Sequence, residues 1–318
     1  MNSTPENAGR SCPIRYRYGA ARIAQAPAQT CDVLYVVGGL YGNPFALDAI
    51  EAMAATEQGQ VRLCFNGDFN WFNKSAEGFS EINRRVLRHE CVLGNVEAEL
   101  SEPLDSPDCG CAYPDNVDQG VVDRSNQIHT ELKRTAQQQP ELLRQILQNP
   151  FFARYSVGRL QVAVVHGDAD SLAGWRFDPA CLRNPQDADW RAGAFRQAQV
   201  DVFASSHTCT AAFHVERLHS EGQAGKVLHG ANLGLISNNG AAGMPSVPGS
   251  THGLITRIAS TPFPDREMVY NAMPLKGAWV EQVRVQINQE KWLQYFLGEW
   301  PEGSAAHTSY FHRISQGA

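Results

Sequence analysis

The chain has 318 residues, 43% of them hydrophobic and 19% charged, with a net charge of −6. That is enough apolar material for one large domain or two small ones. The acidic balance excludes a general basic surface for a polyanion, so nucleic acid is disfavoured as the main partner, while a local patch or a bound metal can still take a phosphate.

Residues 1 to about 29 are rich in Asn, Pro, Ala, Ser and Gln and read as a loosely packed leader. They carry Arg10, Arg15, Arg17 and Arg22 but no continuous apolar core, so no secretory signal is expected. No later stretch has the apolar length needed to span a bilayer, and a cytoplasmic location is the expectation. Eight cysteines, several inside apolar runs as Cys64 is in Val61-Arg62-Leu63-Cys64-Phe65, read as reduced buried thiols and not as a disulfide framework.

The first strong run is Asp32 to Val37, which breaks at Gly38-Gly39 and leads into a predicted helix from Pro44 to Thr56. The unit recurs. Val61 to Phe65 ends at Asn66-Gly67-Asp68 and is followed by a helix from Glu77 to Leu87, and a third strand around Glu90 to Leu93 ends at Gly94-Asn95. A Pro-, Asp-, Cys- and Gly-rich stretch, Ser101 to Gln119, precedes two helices within Ser125 to Gln148 that break near Pro140 and are expected to cap the site region. Strands then return. Leu160 to Val165 ends at His166-Gly167-Asp168, and Val200 to Ala204 ends at Ser206-His207-Thr208-Cys209. Further strands are predicted at Lys226 to His229, Leu254 to Ala259 and Trp279 to Ile287, then a helix-like aromatic run from Glu290 to Leu297. Alternating strands and helices make this an α/β protein, whose ligand groups usually sit on loops beyond the strand ends. The expected organisation is a leader over 1–30, a main domain over 31–275 with a helical cap insert at about 101–150, and a C-terminal strand and aromatic tail over 276–318 packed on that domain.

Asp68, Asn95, His166 and His207 each follow a short apolar strand, and each offers an oxygen or nitrogen to a divalent metal. Singly they also fit plain turn or cap roles. Their order, Gly-Asp, Gly-Asn, His-Gly, His-Thr, resembles the calcineurin-like metallophosphoesterase family, in particular its small bacterial phosphodiesterase branch. The resemblance runs from about Asp32 to Ala259. Tyr41-Gly42-Asn43-Pro44-Phe45-Ala46-Leu47 is similar to the family's His-Gly-Asn-x-x-Ala-Leu segment, and Asn238-Asn239-Gly240 with Met244-Pro245 is similar to its late Asn-x-Gly-Ser turn.

The resemblance implies two packed mixed β-sheets flanked by helices, and two metals about 3.5–4 Å apart that clamp a phosphate. Asp68 matches the bridging ligand, and Asn95, His166 and His207 match the other protein ligands of the second metal. The first metal's set is broken: the opening Asp-x-His motif stands as Gly39-Leu40-Tyr41, and the closing His of Gly-His-x-His stands as Cys209. Gly-Asn-His-Asp/Glu stands as Gly94-Asn95-Val96-Glu97, and Val96 cannot donate a proton to a leaving group. The implied cofactor is one divalent transition metal per chain (Mn, Fe or Zn) held by Asp68, Asn95, His166 and His207.

Several residues have two readings. Cys209 is either a substitute ligand or a small buried thiol. Tyr41 either bonds a phosphate oxygen, as Asn95 would, or fills the volume left by a missing metal. Asp168 and Glu97 either orient a ligand or carry a proton, or they are solvated loop carboxylates. Cys109-Gly110-Cys111, with His129 the nearby imidazole, is a second metal or redox pair or a turn with two ordinary thiols. Asn238-Asn239-Gly240 offers amides to an anion or makes a plain turn. Trp292, Leu293, Tyr295, Phe296 and Leu297, with Tyr310-Phe311-His312, pack on the sheet or form an interface between copies of the chain. The functional expectation is a divergent phosphoesterase acting on a small phosphorylated substrate, with Asp68 and His166 at its catalytic centre. The alternatives are a metal- or ligand-binding member that has lost turnover and, third, a thiol-based protein.

Overall fold

The computed structural model describes residues 8–106, 108–218 and 233–317. Among them, twelve strands form two six-stranded mixed sheets. The first sheet holds β2 (Val33–Val37), β3 (Val61–Asn66), β4 (Glu90–Val92), β10 (Gly253–Ala259), β11 (Val269–Leu275) and β12 (Ala278–Val285), in the order β11-β12-β10-β2-β3-β4. The second holds β1 (Ala28–Cys31), β5 (Phe152–Val157), β6 (Leu160–Val165), β7 (Val202–Ser205), β8 (Ala212–Arg217) and β9 (Leu233–Asn238), in the order β1-β5-β6-β7-β9-β8.

The period-two geometry of a strand sends alternate side chains to opposite faces, and β2 shows how this builds the sandwich. Leu34 and Val36 join Val162, Val164, Val202, Leu235 and Ile258 in the core between the sheets. Val33, Tyr35 and Val37 turn the other way, into a layer shared with Leu47, Phe79, Trp292 and Phe296 of the flanking helices. On the far face of the second sheet, Val165, Phe203 and Ile236 pack against Ala194 and Phe195 of the helix Ala188–Ala198. Burial on both faces is why these strands read as continuous apolar runs.

Within each sheet three neighbouring strands run parallel: β2, β3 and β4 in one, β6, β7 and β9 in the other. Their C-terminal ends come to one edge of the sandwich, so the loops after β2, β3, β4, β6 and β7 meet there, the arrangement that places ligand groups in open α/β sheets.

The stretch read as a loosely packed leader is part of the fold from Ala8 onward. Tyr16 and Ile23 are fully buried, and β1 pairs in parallel with β5. Its apolar residues are spaced singly among polar ones, which hides them from a periodicity reading. The two predicted helices form as Gln119–Gln137 and Pro140–Leu147, with the break at Pro140. The aromatic run forms the helix Gln289–Glu299, which buries Trp292 and Phe296 in this chain's own core. A further C-terminal helix, Ala305–Gln316, carries Tyr310. The strand predicted at Lys226 to His229 lies outside the described residues. No helix among the described residues is long and apolar enough to cross a membrane.

Candidate metal centre

Four loops supply the centre, and two glycines let them touch. A Cβ at Gly67 would lie 2.5 Å from the Gly94 Cα and 2.6 Å from His166 Nδ1, and a Cβ at Gly94 would lie 2.3 Å from Asp68 Oδ1. Bare backbone at both positions is therefore what brings Asp68, Asn95 and His166 together.

The donor atoms converge on one point. His166 Nε2 lies 3.3 Å from Asp68 Oδ1, 3.0 Å from Asn95 Oδ1 and 3.1 Å from His207 Nδ1. The ligand atoms of Asp68, His166 and His207 all lie within 4.8 Å of one another, and all three residues are buried. Donors bonded to one transition metal at about 2.0–2.2 Å are separated by roughly 3 Å, the spacing found here.

Each ligand is held by its other end. His166 Nδ1 is 2.8 Å from the Asn66 carbonyl and His207 Nε2 is 3.1 Å from the Cys111 carbonyl, so each ring's N–H donates outward and leaves its second nitrogen's lone pair facing inward. Asn95 Nδ2 donates to the Cys109 carbonyl at 2.9 Å, which turns its oxygen inward. Four acceptor atoms then face one another, an arrangement that requires a cation or a proton among them. The donor set fits a divalent transition metal, and mixed imidazole and oxygen donors suit Mn, Fe or Zn.

The electrostatics agree with this pairing. Burial opposes charge on Asp68, but the His166 and His207 imidazoles outweigh it and hold the carboxyl below its usual range. Burial likewise opposes charge on His166, and the Asp68 carboxylate overcomes it and raises the imidazole. His207, buried and beside His166, is pushed down to about 3 and stays neutral, as a ligand must.

Tyr41 and Cys209 stand beside the converging donors and contact each other. The Tyr41 hydroxyl lies 2.7 Å from Cys209 Sγ, so the two residues standing at ligand positions of the resembling family bond each other. A Cβ at Gly39 would meet the Tyr41 ring at 3.0 Å, so the ring lies directly over the glycine. Cys209 lines the same cavity but stands outside the group of converging donors, and burial pushes its thiol up. Expected as a substitute ligand or a buried thiol, Cys209 is half-buried here, with its Sγ against the Tyr41 hydroxyl. Tyr41, Asp68 and Cys209 all hold left-handed backbone (φ 56°, 53° and 57°), a concentration of strain typical of functional sites.

The remaining candidates are structural. Glu97 is fully buried and accepts the Asp68 N–H at 2.7 Å and the Asn70 N–H at 3.2 Å, fixing the left-handed Asp68 turn. Burial, then the neighbouring Asp68 carboxylate, push Glu97 up to about 7. Asp168 is not a solvated carboxylate and orients no ligand histidine: it accepts the N–H groups of Asp170, Ser171 and Arg176 and organises its own loop. Asn238 and Asn239 spend their amides on Phe177, Thr208, Gly38 and Leu254, tying β9 to the ends of β2 and β10, and offer none to an anion. His129, buried and pushed down to about 4, bonds the Val96 carbonyl at 2.9 Å. The Cys109-Gly110-Cys111 turn is neither a second metal site nor a plain loop, since its two carbonyls orient Asn95 and His207. A cysteine pattern draws attention to sulfur, and backbone oxygens have no sequence signature.

No protein-family model matches the sequence, and no curated protein is similar to it. Among solved structures, a metallophosphoesterase from Sphaerobacter thermophilus superposes over 90% of this chain and 100% of its own, with a TM-score of 0.51 at 18% identity. A hypothetical protein from Pyrococcus horikoshii superposes over 91% of this chain and 99% of its own, with a TM-score of 0.51 at 12% identity. With two six-stranded mixed sheets flanked by helices, the chain has the fold of the calcineurin-like metallophosphoesterases.

Proposed function

We propose that this chain is a single-metal phosphoesterase, with Asp68, Asn95, His166 and His207 as the protein ligands and a small phosphate ester as the substrate. The observation that carries the reading is the convergence of four inward-facing lone pairs within 3.0–3.3 Å of His166 Nε2 or at it. A metal bound there supplies Lewis-acid polarisation of a phosphoryl oxygen and a bound water of lowered pKa. Asp68 contributes the one negative charge among these ligands, and the Asn66, Cys109 and Cys111 carbonyls keep the neutral ligands in register. Trp71, Tyr113, Trp175 and Tyr310 wall the cavity with aromatic surface, which limits bulk water. Asn95 belongs to the metal and not to the substrate, because its amide nitrogen is committed to Cys109. All eight cysteines are free thiols, which supports a reducing, cytoplasmic setting.

A specific observation favours a second reading, binding without turnover: the side chain at the acid position is Val96, and Tyr41 and Cys209, which stand where the resembling family places ligands of a first metal, bond each other. The two readings part on one experiment. Elemental analysis after dialysis against Mn²⁺ or Zn²⁺ should give about one metal per chain, lost in His166→Ala and His207→Ala. A panel of phosphomonoesters and phosphodiesters should show hydrolysis by wild type and none by those variants. One bound metal with no hydrolysis selects the binding-only reading, and no bound metal removes both.

A further inference from the structure

The cavity beside the centre is lined by Tyr41, Asp68, Trp71, Asn95, Tyr113 and Tyr310 among others, and no lysine or arginine is among its lining residues. A phosphoryl group there would meet the negative charge of Asp68 with a single metal to offset it. Hydrogen-bond donors must supply the remainder.

One such donor is conspicuous. Trp71 is only 3% exposed, and its indole N–H has no hydrogen-bond partner. Buried donors are nearly always paired, so an orphan on a cavity wall marks a place for a ligand atom. Trp175, on the same wall, donates to the Cys111 carbonyl at 3.0 Å, so it is not free to serve. The indole of Trp292 is also an orphan, but Trp292 lies in the core and does not line the cavity. Beside Trp71 stands the hydroxyl of Tyr310, from the C-terminal helix. Tyr310 packs its ring edge-on against Phe72 at 5.1 Å and against Trp71 at 6.4 Å, which fixes its direction. Burial keeps this phenol protonated and therefore a donor.

We propose that the Trp71 indole N–H and the Tyr310 hydroxyl bind the oxygens of a terminal phosphoryl group held at the metal centre, taking the part of the cation that is missing. The cavity offers about 30 Å³, against the roughly 300–1,000 Å³ of a pocket that engulfs an organic ligand. That space engulfs no organic group, so the esterified part of a substrate stays at the mouth, which points to phosphate monoesters as the substrate class. This inference rests on the single-metal reading above.

The test uses inorganic phosphate as the ligand, titrated calorimetrically into full-length protein loaded with Mn²⁺. Trp71→Phe and Tyr310→Phe are each expected to weaken phosphate binding about tenfold or more, the usual loss for a hydrogen bond to a charged group, while Mn²⁺ uptake stays at the wild-type level. Phosphate affinities equal to wild type in both folded variants overturn the inference and leave the metal site intact. Should Trp71→Phe fail to fold, the partly exposed Tyr310→Phe decides alone. Wild-type protein that binds Mn²⁺ but no phosphate also overturns the inference, whereas protein that binds neither overturns the single-metal reading with it.

Discussion

At the scale of single residues, Gly39, Tyr41 and Cys209, which stand where the resembling family places ligands of a first metal, behave as one unit. Gly39 has no side chain, the Tyr41 ring lies 3.0 Å from where its Cβ would stand, and the Tyr41 hydroxyl and Cys209 Sγ bond each other. None explains the others alone. A cavity of that size without the ring would lose packing contacts on every side, and the ring beside an aspartate at 39 would clash. Two outcomes follow for metal content. Cys209→Ser should retain the same one metal as wild type, because Sγ lies outside the converging donors. The triple variant Gly39→Asp, Tyr41→His, Cys209→His rebuilds the ligand pattern of the resembling family, and elemental analysis should rise from about one to about two metals per chain. A triple variant that folds and still holds one metal would show that more than these side chains closed the position.

At the scale of elements, the C-terminal helix Ala305–Gln316 belongs to the site and not to a peripheral tail. Besides placing Tyr310 on the cavity wall, it donates from Arg313 to the Cys209 carbonyl and to the Pro245 carbonyl, each at 2.5 Å, clamping the turn that carries His207. Arg313→Ala should cost roughly 2 kcal/mol, as expected for lost charge-assisted bonds, and should speed amide exchange within 305–316 more than in the central strands. Uniform exchange across the molecule would contradict the clamp. The sequence leaves this element unread because Tyr310, Phe311 and His312 look like added aromatic surface when the helix's partner, the His207 turn, is a hundred residues away. The same distinction governs the strands. β2, β3 and β6 are largely buried on both faces and stand out as apolar runs, and β3 and β6 lead into Asp68 and His166. Three of the strands that went unread, β1, β8 and β11, are edges of their sheets, where polar residues and even Pro274 within β11 are tolerated. β9 is interior but interrupted by Gly234, against which the Phe195 ring packs so closely that a Cβ would meet it at 2.7 Å. The ligand set was legible because each member ends a strand. The carbonyls that orient it, and the orphaned indole beside it, exist only once the loops have met.

At the scale of the whole molecule, the first sheet is tied to its helical layer by a buried ionic group. Arg257 on β10, with its side chain 1% exposed, bonds both oxygens of Glu57 at 2.5 and 2.9 Å and Glu281 on β12 at 2.9 Å. Glu281 also bonds Arg266 and accepts the Phe263 N–H, so removing Arg257 leaves Glu57 the more isolated of the two carboxylates. Arg257→Met keeps most of the volume and should cost about 3–5 kcal/mol near neutral pH, because it strands a buried charge. The pH dependence gives the sharper test. Burial opposes charge on Glu57, but the Arg257 bonds outweigh it and hold the carboxyl below its ordinary value of 4.5. A carboxyl depressed in the folded state adds stability that is present above the unfolded value and is lost as pH falls through the folded one. In Arg257→Met the sign reverses: Glu57, buried without its partner, is pushed upward and folds more readily once protonated. The melting-temperature gap between wild type and Arg257→Met should therefore be widest near pH 7, begin to narrow above pH 4.5 as Glu57 of the variant protonates, and narrow further below it as the wild-type pair is lost. A gap that stays constant from pH 7 to pH 3 would mean that Arg257 acts through packing alone, and that the ion pair with Glu57 does not join the helical layer to the sheet.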